Sequence, residues 1–161
     1  LSGLVEQILS MGMERRKTFR LHPEEINLKE LITPLMEQHQ LKADKPVHIE
    51  LDIQPETLVI VADRTHFSNI ISNLIDNALS ISCRQTGGTV TVSVTDRGIG
   101  IPLDKQKHIF DKFYRVPTGN LHNIKGYGLG LFYVKSMVEK HGGTITVKSE
   151  PDKGSTFTIT L

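Results

Sequence analysis

Asn73 and Asn77 stand four residues apart in the run NLIDNA, among apolar residues (Phe67, Ile70, Ile71, Leu74, Ile75, Ala78) that recur at helical spacing. Four residues is one turn, so the spacing predicts a helix with both amides on one side, off its apolar stripe. Asparagine is a poor helix former, and two of them need a reason. A solvated helix face is one. The other is chemical: two amide oxygens on one face are hard, neutral ligands suited to Mg2+ or to its waters.

A second cluster is DRGIGIP, from Asp96 to Pro102, directly after an alternating strand pattern. Asp96 puts a carboxylate at the strand's end, able to accept hydrogen bonds from an amine, while Gly98 and Gly100 let backbone approach a flat ligand. A short GxG can equally be only a turn. It is no P-loop, because GxxxxGK[ST] occurs nowhere, and the third glycine of a dinucleotide fingerprint is missing. The third cluster, GYGLGL from Gly126 to Leu131, opens a helix. Its glycines leave backbone N–H groups free at the positive end of the helix dipole, where phosphate is favoured over a merely flexible joint.

Between these two clusters, residues 103–127 carry Lys105, Lys107, Lys112, Arg115 and Lys125 against Asp104 and Asp111. An excess of cations beside a glycine-rich helix start is where a triphosphate would be held, although Lys105 and Lys107 read better as a solvated face. A segment so long and so poorly periodic has the character of a lid or a disordered loop. Phe110 and Phe113, three apart, read as anchors to the core.

The elements that must position these clusters follow from periodicity. Leu1, Leu4, Val5, Ile8 and Leu9 predict an amphipathic helix that reads as the tail of a longer one. Thr18 to Leu21 is extended in character. Asn27 caps a helix with Leu28, Leu31, Ile32, Leu35 and His39 on one face. Strands are expected at Val47–Ile53, Thr57–Val61, 79–83 and 89–95, with Arg84 to Gly88 as a hairpin loop. Asp63 caps the asparagine helix. Leu129 to His141 forms a helix stopped by Gly142, and a final hairpin pairs Thr144–Lys148 with Thr156–Leu161.

The chain has 161 residues, 38% of them apolar, with a net charge of +1. That supports one α+β core and gives no global field for nucleic acid or an acidic membrane. A single cysteine, Cys83, cannot pair internally, and no Cys/His cluster has metal-ligand spacing, as expected in a reducing compartment. Without a span-length apolar run or a signal-peptide layout, the expectation is a soluble piece.

Taken in order, the clusters resemble the catalytic, ATP-binding domain of bacterial sensor histidine kinases, in the superfamily shared with gyrase and the MutL mismatch-repair proteins. NLIDNA matches the N box, DRGIGIP the first glycine box, IFDKFYR the F box and GYGLGLFYVK the second glycine box. The resemblance covers residues 19–161, and 1–18 resembles the end of the preceding dimerisation and phosphotransfer helix. It implies a two-layer α/β sandwich of the Bergerat type, a mixed sheet on three helices with ATP under a lid. By position, Asn77 would bind Mg2+, and Asn73, the catalytic candidate, would touch metal or phosphates. Asp96 would accept from the adenine amine, with Gly98, Gly100 and Ile101 lining the base. Gly126, Gly128, Leu129 and Gly130 would shape the lid hinge and phosphate site, and Arg115 and Lys125 would contact the γ-phosphate. The implied partners are a histidine-bearing dimerisation domain, a response regulator and a second copy of the parent, and no nucleic acid. The implied location is cytoplasmic, on a parent bound to the inner membrane.

The chemistry implied is phosphoryl transfer to a histidine that this sequence lacks: none of His22, His39, His48, His66, His108, His122 and His141 is followed by an acidic residue. A hydrolase of the gyrase or MutL kind is the rival, but its water-activating glutamate is replaced by Asn73. An anti-sigma serine kinase is closer, but the F box and the leading helix argue for the histidine kinase. A binding module without transfer stays open, because the Lys and aromatic residue usual after the N box are replaced by Leu79, Ser80 and Ile81. In NLIDNALSIS the helix and the next strand meet without a loop, and a link of about 5 to 12 residues is expected between Ala78 and Leu79.

Overall fold

A computed structural model describes residues 19–44, 48–76, 78–115 and 129–161. The expected leading helix over 1–18 lies outside them. Strand β1 (Pro23–Asn27) leads into helix α1 (Leu28–Lys42), followed by β2 (Glu50–Gln54), β3 (Val59–Asp63) and α2 (Arg64–Leu74). Then come β4 (Ala78–Thr86), β5 (Thr89–Asp96), a single-turn helix α3 (Leu103–Gln106), α4 (Gly130–Lys140), β6 (Thr144–Glu150) and β7 (Gly154–Thr160).

Five strands form one mixed sheet in the order β2-β4-β5-β7-β6, with only β2 and β4 parallel among its pairs, and β1 pairs antiparallel with β3 in a separate ribbon. Alternation puts Ile81, Cys83, Val92, Val94, Phe157 and Ile159 on one face of the sheet. Against them pack the apolar stripes of α1 (Leu28, Leu31, Ile32), α2 (Phe67, Ile70, Ile71) and α4 (Tyr133, Val134, Met137). This is the expected sandwich of a mixed sheet on three helices.

The helix ends are set by local chemistry. Asn27 Oδ1 accepts from Glu30 N at 3.0 Å and Asp63 Oδ1 from His66 N at 3.0 Å, each satisfying an orphan donor of the first turn. Helix α4 stops where Gly142 takes φ +77, with Gly143 N bonding Val138 O and Gly142 N bonding Glu139 O. That pair of bonds closes the last turn, and a left-handed residue there suits glycine.

The first strand, Pro23–Asn27, follows the stretch read as extended; its one fully inward side chain, Ile26, faces Ile60 across the pair with β3. Three expectations are corrected. The hairpin between β4 and β5 turns on Gly87 and Gly88 alone, since Thr86 already pairs with Thr89. Helix α2 ends at Leu74, with Ile75 as its cap and Asp76 in a turn. Ile75 and Ala78 are nevertheless buried, 3% and 2% exposed, so apolar spacing continues past the helix because the chain stays in the core. Ala78 and Leu79 are then neighbours inside β4, which has a register irregularity between Ala78 and Ser80. No link separates Ala78 from Leu79, and the chain leaves α2 through Ile75 and Asp76, with residue 77 outside the described residues.

Candidate functional site

Strand β5, the central strand of the sheet, carries Asp96 at its C-terminal end. Its Oδ1 accepts from Gly98 N at 2.8 Å and from Ser155 N, at the start of β7, at 3.1 Å. The carboxylate is thus held by donors from two segments far apart in sequence. Among the described residues no donor meets Oδ2, which leaves one acceptor-only oxygen in a fixed direction. A Cβ on Gly98 would stand 3.1 Å from Asp96 Oδ1, so the short approach of its N–H depends on glycine.

Gly100 has a structural task in the loop. At φ +72, a Cβ there would fall 1.9 Å from the carbonyl oxygen of Glu150. The missing side chain admits the β6–β7 turn. That turn grips the loop at several points: Asp152 N donates to Ile99 O at 2.7 Å, and Ile101 N donates to Ser149 Oγ at 2.7 Å. Gln106 of α3 donates to both Ile101 O and Ser149 O at 2.9 Å. Sequence reasoning missed Gln106, Ser149 and Ser155. For Ser149 and Ser155 the only signal was a polar residue in β6 or β7 where an apolar one would alternate, and for Gln106 there was none.

Helix α2 carries Asn73 to the first turn of α4. Asn73 Nδ2 donates to Asn69 O at 2.8 Å, and a Cβ on Gly130 would lie 3.0 Å from Asn73 Oδ1. The amide oxygen therefore faces the start of α4. No side chain caps that helix, in contrast to α1 and α2, so its first N–H groups lack a capping acceptor among the described residues. Leu129, 8% exposed, anchors this end in the core. One oxygen aimed at an uncapped helix start suits a hard cation with its anion, which is the test Asn73 can pass here. Asn77, Lys125, Gly126 and Gly128 lie outside the described residues, and the helical turn expected to align Asn77 with Asn73 ends at Leu74.

Of the aromatic pair, Phe110 packs edge-on against Phe157 at 6.3 Å, while Phe113 is 62% exposed at φ +66. Residues 107–113 run as turns, and Ile109, 4% exposed, takes the anchoring place expected of Phe113. Lys112 lies over Phe132 of α4 at 5.8 Å. Arg115 is exposed and meets no carboxylate among the described residues, so its charge is uncommitted.

A second polar network braces α2 against α4. The Tyr133 hydroxyl, fully buried, lies 2.6 Å from His66 Nδ1 and accepts from Asn69 Nδ2 at 3.4 Å. Asp63 N donates to His141 Nε2 at 3.0 Å, so that nitrogen is an acceptor and Nδ1 donates to Met137 O at 2.6 Å. Burial pushes the Asp63 carboxyl up, but the backbone N–H groups of His22 and His66 outweigh it and hold it below the usual carboxylate value.

Residues 62–161, more than half of the chain, match the family described as histidine kinase-, DNA gyrase B-, and HSP90-like ATPase. The chain belongs to this family. Sensor protein RprX of Bacteroides fragilis is 40% identical over 169 residues, covering 98% of this chain and 33% of that protein. Sensor-like histidine kinase SenX3 of Mycobacterium tuberculosis is 33% identical over 171 residues, covering 100% of this chain and 40% of that protein. The chain thus spans a third to two fifths of these relatives. The catalytic domain of histidine kinase ThkA superposes with a TM-score of 0.74 at 26% identity, over 88% of this chain and 95% of that one. Full-length ShkA in complex with AMPPNP shares the fold at a TM-score of 0.82 and 23% identity, over 98% of this chain and 35% of that one. The alignment with SenX3 spans 171 positions, ten more than the 161 residues here.

Proposed function

We propose that this chain is the catalytic part of a two-component sensor histidine kinase, holding ATP with Mg2+ and passing the γ-phosphoryl group to a histidine on a dimerisation domain. The observation that carries it is the pairing of two acceptors with two directions. Asp96 Oδ2 is fixed and spare at the end of β5, ready for a base amine. Asn73 Oδ1 faces the uncapped start of α4, ready for a metal–phosphate group. When bound, Mg2+ supplies neutralisation of charge on the transferring phosphoryl group.

Phosphoryl transfer needs positioning and electrostatics more than covalent help, and this chain's residues supply those. Asp96 orients the base, Leu129 and Gly130 hold backbone N–H groups toward the phosphates, and Arg115 and Lys125 bring cations to the γ-phosphate. Asn73 is an amide where a hydrolase needs a base, which favours transfer over hydrolysis. Gly98, Gly100 and Ile101 form the wall beside the base, and Gly126 and Gly128 the hinge of the lid. The ligand of the metal that completes Asn73 is Asn77.

Residues 1–18 continue the dimerisation helix, and the parent acts as a homodimer that hands its phosphoryl group to a response regulator. No partner is nucleic acid. Among the described residues no helix is long and apolar enough to cross a membrane. We place the catalytic part in the cytoplasm, on a parent bound to the inner membrane.

A second reading, nucleotide binding without transfer, is favoured by one observation: α2 ends before Asn77 and only three residues reach β4. One experiment separates the two. The chain is mixed with radioactive ATP, Mg2+ and a separately supplied dimerisation domain bearing the acceptor histidine. Acid-labile label on the added domain and none on this chain is the expected result. ATP binding with no label on either would defeat transfer, and label on this chain alone would defeat the assignment of the acceptor.

A further inference from the structure

Ser149 lies on β6, yet its hydroxyl is the meeting point of three segments. It accepts from Ile101 N at 2.7 Å, donates to Gly154 O at 3.0 Å and lies 2.7 Å from Ser155 Oγ. A hydroxyl has one hydrogen and two acceptor positions. With its hydrogen on Gly154 O, it accepts from Ile101 N–H and from the Ser155 hydroxyl, so every valence is used and one orientation remains.

Gln106 completes the lock. Both hydrogens of its amide nitrogen are spent, one on Ile101 O and one on Ser149 O. Ile101 therefore has its N–H held by Ser149 and its carbonyl held by Gln106. On the far side of the same loop, Ser155 N and Gly98 N hold Asp96 Oδ1. The loop from 96 to 101 is tied at both ends to one hairpin, and Gly100 packs on Glu150 between the ties.

We infer that Ser149 and Gln106 are positioning residues for base recognition, which keep the spare oxygen of Asp96 aimed at an adenine amine. The Ser149 hydroxyl and the Gln106 amide nitrogen are fully engaged within the loop and hairpin, so their part is to hold Asp96 in place. The inference rests on Asp96 as the adenine acceptor proposed above. Its physical content is that a carboxylate discriminates an amine from a carbonyl only while its direction is fixed, and a supporting shell left loose loses that. With Ser149 or Gln106 disabled, Asp96 still carries its charge but points over a wider range.

The test compares calorimetric affinities for ATP and for inosine triphosphate, whose base presents a carbonyl oxygen where adenine presents the amine. The preference for ATP should fall roughly five- to tenfold in Ser149→Ala and in Gln106→Met, which keeps bulk and removes both donors. Ser149→Thr, which restores the hydroxyl, should recover it. Loss of packing alone would lower both affinities together and leave their ratio unchanged. Should Ser149→Ala fail to fold, Gln106→Met on the one-turn α3 decides. A ratio unmoved in these variants but collapsed in Asp96→Asn overturns the inference and leaves the base site standing. A ratio unmoved in Asp96→Asn as well overturns the assignment of Asp96, and the inference with it.

Discussion

Asp96→Asn is the most informative single change, because the structure decides which way the new amide must face. Oδ1 accepts from Gly98 N at 2.8 Å and Ser155 N at 3.1 Å. An amide nitrogen placed there would set donors against two donors, so the asparagine keeps its oxygen inward and turns its NH2 into the position of Oδ2. A donor then faces the donor of adenine. Losing a charged acceptor costs about 1.5 to 3 kcal/mol, or roughly 10- to 150-fold in affinity, and both backbone bonds survive, so the fold should hold. The same NH2 suits the carbonyl of an inosine base, whose triphosphate should gain relative to ATP. Calorimetry with both nucleotides, beside a thermal melt, measures this. An unchanged ratio in a folded variant refutes the placement of the base.

Three further outcomes follow from distances. Gly130→Ala puts a Cβ 3.0 Å from Asn73 Oδ1, so the amide must yield; Mg2+–ATP affinity should fall about three- to tenfold in calorimetry while adenosine affinity holds, and equal changes would count against Asn73 as a metal–phosphate contact. Gly154→Ala, at φ +100 with a Cβ 2.0 Å from Asp96 O, should cost at least about 2 kcal/mol in urea unfolding, whereas Gly88→Ala, with nothing within 4 Å, should stay within about 0.5 kcal/mol. Loss of hydration pushes the Cys83 thiol from 9.0 up to about 12, outweighing the nearby Arg84 charge, so the unfolded chain sheds this proton first. Its contribution to stability should therefore decline as pH rises from 9 toward 12, and alkylation at pH 8 should keep pace with unfolding; fast labelling of the native chain would contradict this.

Features written in local chemistry were legible in the sequence. Asn27 and Asp63 cap helices with their own side chains, and Gly87 and Gly142 mark turns through conformations that side chains disfavour. The α+β class was legible from periodicity, and the two-layer sandwich came from the resemblance that the ordered clusters carry. The end of α2 was not, because Ile75 and Ala78 stay at helical spacing and buried after the helix has stopped; periodicity reports burial, not backbone. Phe113 misled in the same way, since its spacing from Phe110 presumed a helix where the chain makes turns. Of the candidate site, Asp96 and Asn73 stood out by type and position, as a carboxylate at a strand's end and an amide off an apolar stripe. Ser149, Gln106 and the need for glycine at 100 could not, because each depends on a segment more than 40 residues away.

The bond from Ser155 N to Asp96 Oδ1 spans 59 residues, and it also bears on how the chain acquires its site during folding. The β4–β5 hairpin is local and can form early, bringing Asp96 to the end of a strand. Its carboxylate is then half-tied, by Gly98 alone. Direction comes only when β7 closes a long loop onto β5, an entropically costly step of the kind that slows folding. On the role proposed for Asp96, base recognition would be a late property of the molecule, absent from a partly folded chain that already has its helices and first strands. Nucleotide would bind the completed sheet and not its precursors, so ligand added during refolding should slow unfolding without speeding folding.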